Sequence, residues 1–331
     1  MSYGARVTSS ARTSAPTGAA SPEPRQPVAA WLPVAAGAVT LLLWASAFVA
    51  IRHLGSDVPP GALSLGRLLI AAAALGALLL TRPSGTRRWP ARRHVPLLLL
   101  CGAAWFGIYN LALNAAEQRI DAGTAALVVQ VGPILVALLA TVFLGEQLHR
   151  WLVIGMGVGF AGVVVIAQAS SGHESGDLTG VLLAVVAAAT YAVGVLSQKP
   201  VLQSAGPLET TFLACVIGAV VCLPWAGELV DVAGTASVGT VLGVVYLGLL
   251  PTAVAFTTWA YALSHTNAST LALTTFLVPF LAAALAWPLL DEVPPLLAFV
   301  GGTLCIAGVL LTRRRPRAEV AAPVPDDDVT A

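Results

Sequence analysis

An apolar run with a proline near its start and a carboxylate at its end occurs twice in this chain, at one spacing. QVGPILVALLATVFLGE (Gln130 to Glu146) aligns with FLVPFLAAALAWPLLDE (Phe276 to Glu292) at an offset of 146 residues, which puts Pro133 over Pro279 and Glu146 over Glu292. The same offset carries Gly155 onto Gly301 and Gly162 onto Gly308 without a gap. Matches at fixed spacing over about 40 residues define an internal repeat, and a repeat constrains the fold before any single residue does.

The solvent of that repeat is lipid. Charged residues make up only 10% of the chain and hydrophobic ones 57%, against about 25% charged in a soluble domain. Ten apolar runs, approximately 31–51, 61–81, 95–115, 122–144, 150–169, 178–197, 208–226, 238–259, 267–289 and 294–312, each approach the ~20 residues a helix needs to cross a bilayer. Stretches such as AAAALGALLL lack the polar–apolar alternation of a membrane barrel. The expected fold is an all-α polytopic membrane protein of ten transmembrane helices.

Basic residues orient it. With the N-terminus inside, cytoplasmic segments hold Arg6, Arg12, Arg25, Arg82, Arg87, Arg88, Arg92, Arg93, Arg150, Lys199, Arg313, Arg314, Arg315 and Arg317, and external loops only Arg52 and Arg119. Both termini are therefore expected in the cytoplasm. Each half has five spans, so the second half runs inverted relative to the first, the arrangement of secondary transporters. The expected division is a disordered tail at 1–29, a first repeat at 30–170, a second at 171–312 and a polar tail at 313–331. The first apolar run begins too late and runs too long for a cleaved signal peptide, whereas the Arg- and Ser-containing, acid-poor tail also fits a transit peptide.

Several classes of chemistry are excluded. Net charge is +1, so no field invites nucleic acid. Cys101, Cys215, Cys222 and Cys305 lie inside apolar runs and read as small hydrophobes. His53, His94, His149, His173 and His265 sit at span ends or in loops without metal spacing, and no metal or cofactor is expected. GMGVGFAG in the fifth span has Phe160 where a dinucleotide fingerprint needs its third glycine. A membrane enzyme would need a catalytic cluster at one face, and a channel a ring-forming polar motif. The chain shows neither.

With five plus five spans, a P-x12-E pattern in spans 4 and 9, LLWASAFVAIRH in span 1, SLGRLLIAAAAL in span 2 and ALSHTNASTLAL entering span 9, residues 31 to 312 resemble the EamA type of the drug/metabolite transporter superfamily. Tyr191 stands where many members have Trp. The resemblance implies a bacterial inner-membrane carrier exporting small metabolites, amino acids or drugs by alternating access. Its driving force would be proton exchange or the substrate gradient.

Polar and aromatic residues within the spans are the candidate pathway. These are Trp44, Ser46 and Phe48 in span 1, Tyr109, Asn110 and Asn114 in span 3, Gln130 in span 4, Tyr191 in span 6, Trp259 and Tyr261 in span 8, and Thr274 and Thr275 in span 9. Arg67 in span 2 either snorkels outward or pairs with a substrate carboxylate or an acid in the cavity. Pro133 and Pro279 leave the carbonyls of Val129 and Thr275 without their helical donors, as hinges lining the cavity or as packing kinks. Glu146 and Glu292 precede spans 5 and 10 and read as caps for those helices. Gly155, Gly159, Gly162, Gly301, Gly302 and Gly308 form small-residue faces for close packing or dimerisation. The partners expected are lipid, a small-molecule substrate and protons, with the chain a monomer or homodimer.

Overall fold

Prolines and small polar caps decide where the apolar runs become helices. A computed structural model describes residue 29 and residues 31–54, 57–120, 122–170, 177–290 and 296–314. The expected tails, apart from Ala29, Arg313 and Arg314, and the expected cap Glu292 lie outside the described residues. The first repeat contains α1 (Trp31–Leu54), α2 (Pro60–Thr81), α3 (Val95–Cys101), α4 (Tyr109–Glu117), α5 (Ala122–Val129), α6 (Val131–Phe143) and α7 (Arg150–Ser170). The second contains α8 (Leu178–Val201), α9 (Pro207–Cys222), α10 (Ala226–Thr235), α11 (Val238–Leu247), α12 (Ala255–His265), α13 (Ala268–Leu273), α14 (Val278–Leu290) and α15 (Leu296–Thr312). Proline opens α2 and α9, where its missing N–H costs no hydrogen bond. Ser237 accepts from Thr240 N at the start of α11.

Asp177 caps α8 by accepting from Thr179 N at 2.9 Å, and Arg119 donates to its other oxygen at 2.9 Å. The Arg119 bond, then the Thr179 bond, holds the Asp177 carboxyl below the usual aspartate range. This stabilisation is present above the unfolded-state pKa and is lost as pH falls through the depressed folded one.

Eight helical segments among the described residues are long and apolar enough to cross a membrane, and two shorter apolar helices span Leu127–Phe143 and Leu296–Thr312. The run expected at 208–226 continues to Thr235, because Pro224 bends the rod through one 3₁₀ turn without ending it. Two rods contain π-helical segments, Gly102–Ile108 between α3 and α4 and Gly248–Val254 between α11 and α12. Their spacing is the 146 residues of the sequence repeat.

The repeats pack as an intertwined pair. The equivalent helices α7 and α15 run antiparallel: a Cβ on Gly155 would stand 2.5 Å from Gly308 O, and one on Gly162 would stand 2.5 Å from Gly301 O. The offset converts the first of these contacts into the second, which is the behaviour of a two-fold axis between the repeats. Equivalent helices α2 and α9 are antiparallel too, with Gly61 against Trp225 and Gly76 against Phe212. Association in lipid is driven by close van der Waals approach rather than by apolar burial, and glycine at these crossings permits it.

Candidate substrate cavity and its closed end

Each π segment leaves a carbonyl outside the helical ladder, and in each a polar side chain takes it. Asn110 Nδ2 donates to Phe106 O at 2.8 Å, with Trp105 O at 3.3 Å. Thr252 Oγ1 donates to Leu247 O at 2.7 Å. Thr252 then accepts from Arg67 Nε at 2.9 Å, which pins the α2 guanidinium to the second repeat. Arg67 is 5% exposed, so it does not snorkel to the lipid surface. Its terminal nitrogens have no hydrogen-bond partner among the described residues, and it lines the central cavity.

That cavity encloses about 690 Å³ of unfilled space, its open mouth included. Trp44, Phe48, Tyr109, Asn110, Gln130, Pro133, Tyr191 and Thr275 line it together with Arg67. Trp105 and Phe256 complete an aromatic wall that sequence reasoning missed, joined by Ala47, Ile51, Leu113, Val129 and Val278. Trp44 meets Phe256 at 5.3 Å and Trp105 at 6.0 Å between ring centroids, and Trp105 meets Tyr191 at 5.4 Å, all edge to face, the arrangement ring quadrupoles favour. The signal for Phe256 was faint: it stands 146 residues after Asn110, so it is the second repeat's counterpart of a candidate already chosen.

Other expected pathway residues lie elsewhere. Trp259 is fully buried behind Trp44, at 5.0 Å between centroids. Ser46 Oγ accepts from Tyr246 at 2.7 Å, and Tyr261 packs on His265. Thr274 turns its hydroxyl back onto Leu271 O. Asn114 donates to Ser64 Oγ at 3.0 Å, locking α4 to α2 just outside the cavity lining. Of the two prolines, only Pro133 is in the lining. The carbonyl that Pro279 frees, Thr275 O, accepts from Val278 N in a 3₁₀ turn and from Gln130 Nε2 at 2.7 Å, so a side chain at one repeat's bend is bonded to the other's.

The lining residues sit from the middle of the bundle toward the end where α1 and α4 finish and α2 and α5 begin. The opposite end is tied shut. Lys199 Nζ donates to Leu263 O and Thr266 O, each at 2.6 Å, holding the last carbonyls of α12. Glu146 accepts from Ala268 N at 2.6 Å, Ser269 N at 3.0 Å and Ser269 Oγ at 2.5 Å. It therefore caps α13 in the other repeat, not the helix that follows it. Gly145, at φ +67°, turns the carboxylate away from α7, whose first turn is capped instead by His149 Nδ1 accepting from Leu152 N at 3.1 Å. Gly206 N also donates to Arg88 O at this end, and Arg88 N to Glu209 Oε1.

A helical membrane bundle of two antiparallel repeats around an aromatic cavity is the architecture of a membrane carrier. The chain belongs to the EamA-like transporter family, whose model matches residues 31–168 and again 178–314. It is 39% identical to a probable terminal-alkyne amino-acid exporter of Streptantibioticus cattleyicolor, over 84% of this chain and 92% of that protein. It is 34% identical to the uncharacterized transporter YdfC of Bacillus subtilis, over 82% and 87%. A probable amino-acid metabolite efflux pump of Escherichia coli is 25% identical, over 82% and 92%. One solved crystal structure shares the fold at a TM-score of 0.70 with 23% identity, over 85% of this chain and 96% of that one. The protein is a multi-pass plasma-membrane transporter and not an enzyme.

Proposed function

We propose that this protein exports small, apolar-side-chain amino acids or closely related metabolites across the plasma membrane by alternating access. The observation that carries the reading is an unpaired guanidinium, Arg67, facing an aromatic cavity. A buried charge without a partner is costly, and a planar fork of N–H donors suits a carboxylate. The aromatic wall of Trp44, Trp105 and Phe256 would take an apolar side chain beside it. The names of the relatives from Streptantibioticus and Escherichia support an amino-acid cargo, and the first suggests a small unsaturated side chain.

In this proposal all ten apolar segments span the bilayer, Leu296–Thr312 included, since 17 residues cover ~26 Å at 1.5 Å each. Both termini are cytoplasmic, on the arginine count. The cavity then faces outward, and the ties made by Lys199 and Glu146 close the cytoplasmic side. Both cross between repeats or between helices that must separate for the cavity to open inward. The bend at Gln130–Pro133, bonded to Thr275 O, is the joint that carries the two repeats past one another.

Ligand-induced thermal stabilisation tests the reading. L-propargylglycine, a terminal-alkyne amino acid, is expected to raise the Tm of the purified protein by binding the folded state. Its methyl ester, which keeps the side chain but loses the anionic carboxylate, is expected to give no shift. Equal shifts with acid and ester would remove Arg67 from the reading.

A further inference from the structure

Among the described residues, one carboxylate at the end of a membrane-spanning helix keeps an oxygen buried without a hydrogen bond. Glu117 ends α4, and its Oε1 is buried with no hydrogen-bond partner among the described residues. It stands four residues after Leu113 and eight after Tyr109, both of which line the cavity, so it lies on the lining face of the helix one turn nearer the mouth. Arg67 lines the same cavity as Tyr109 and Leu113, and among the described residues no ion pair within bonding distance joins it to Glu117. Asn114, 4% exposed on the same helix, has its amide nitrogen bonded to Ser64 while its Oδ1 is also buried without a partner.

Two buried acceptors without partners, on the helix whose face lines the cavity of Arg67, and a guanidinium bonded through Nε alone are the complement of a zwitterion. An α-amino acid offers a carboxylate to Arg67 and an ammonium group to acceptors nearby. A proton and an ammonium group compete for the same carboxylate oxygen. We infer that Glu117 is the proton-exchange residue of this carrier: it holds either the substrate's ammonium group, with Asn114 Oδ1 as its second acceptor, or a proton. This inference rests on the exporter reading above and gives it a direction. External protons reach Glu117 at the mouth side, displace the ammonium group and release the substrate outward. Substrate loading on the cytoplasmic side expels the proton inward. One proton moves in for each net-neutral zwitterion moving out, so each cycle carries one positive charge inward.

The groups facing Glu117 leave it as the exchangeable site. From α2 comes Arg67, and from α4 itself Tyr109. α8 brings Tyr191 and, ahead of its first turn, Asp177, which Arg119 already holds at 2.9 Å. α5 and the π segment Gly102–Ile108 present no titratable side chain.

Proton release on binding tests the inference. Full-length protein in weakly buffered detergent solution with a pH-sensitive dye is titrated with L-propargylglycine between about pH 5 and about pH 9. Wild type is expected to release up to about one proton per ligand bound in part of this range. Glu117→Gln, which keeps an acceptor but loses the charge, is expected to bind more weakly than wild type and, at concentrations that saturate it, to release none. N-acetyl-propargylglycine, which lacks the ammonium group, is expected to release none from wild type, a comparison that stands even where the variant fails to accumulate. Equal release from the variant, from the N-acetyl compound, or no release from wild type at any pH overturns the inference while leaving the exporter reading intact. Absence of propargylglycine binding to wild type overturns the reading itself, and this inference with it.

Discussion

Arg67→Gln is expected to abolish export while leaving the protein folded and present in the membrane. In the folded protein Arg67 contributes one hydrogen bond to Thr252 Oγ1 and otherwise lines the cavity. Among the described residues no carboxylate lies within ion-pair distance of Arg67, so removing its buried charge relieves a desolvation cost without breaking a pair, and accumulation is not expected to fall. The substrate, by contrast, loses a charge-assisted, two-pronged contact. Truncating one side of such a pair costs about 3 kcal/mol, roughly a hundredfold in affinity. Arg67→Lys keeps the charge without the fork and is expected to fall between the two. Cells expressing each variant and challenged with propargylglycine give the readout: wild type confers resistance, Arg67→Gln does not, and immunoblots of membranes show equal protein. Resistance unchanged in Arg67→Gln would place the carboxylate contact elsewhere.

The second large effect is on folding. A side chain at Gly308 would meet Gly159 N at 2.5 Å, Gly159 Cα at 2.6 Å and Gly155 O at 2.7 Å. These are backbone atoms, which cannot rotate aside as a flexible side chain can. Gly308→Leu must therefore push α15 off α7, at a cost of about 3 kcal/mol or more. That pair also forms the two-fold contact between the repeats, so the loss is expected to be one of the whole fold: little protein in the membrane, and no monodisperse peak on size exclusion. Gly157→Leu on α7 is the control. Nothing lies within 4 Å of a Cβ there, and it is expected to accumulate like wild type.

Much of the organisation was legible because it repeats or because lipid demands it. The 146-residue offset located the paired prolines and the paired glycine faces, and apolar runs located the helices. Trp44, Phe48, Tyr109, Asn110, Gln130, Tyr191 and Thr275 were named as polar or aromatic groups inside spans, and one cavity gathers them with Arg67. What stayed hidden depends on contacts far apart in sequence. Glu146 reads locally as a cap for α7, since nothing in LGEQLHRW announces that Gly145 takes a positive φ and hands the carboxylate to Ala268 and Ser269. Trp105 and Phe256 look like ordinary apolar residues until the π segments rotate their helices into register. Ser46 and Thr274 are polar but spend their hydroxyls on local or interhelical bonds, and Tyr261 packs its ring on His265. Glu117 was overlooked because it ends a helix, where a carboxylate is usually solvated, whereas here one of its oxygens is buried.

On the proposed reading, the Lys199 and Glu146 ties, with the cavity on the other side of them, are one end of a transport cycle. A carrier must exchange this state for its opposite, and a ligand drives that exchange only by binding the two states differently. Counterflow in proteoliposomes measures the exchange directly. Vesicles containing the purified protein are loaded with unlabelled L-propargylglycine and diluted into a trace of the labelled compound at equal internal and external pH. If the cavity alternates between the two faces, labelled substrate enters faster than into unloaded vesicles and transiently accumulates above its external concentration. Entry at the same rate with and without preloading, never exceeding the external concentration, would contradict alternating access.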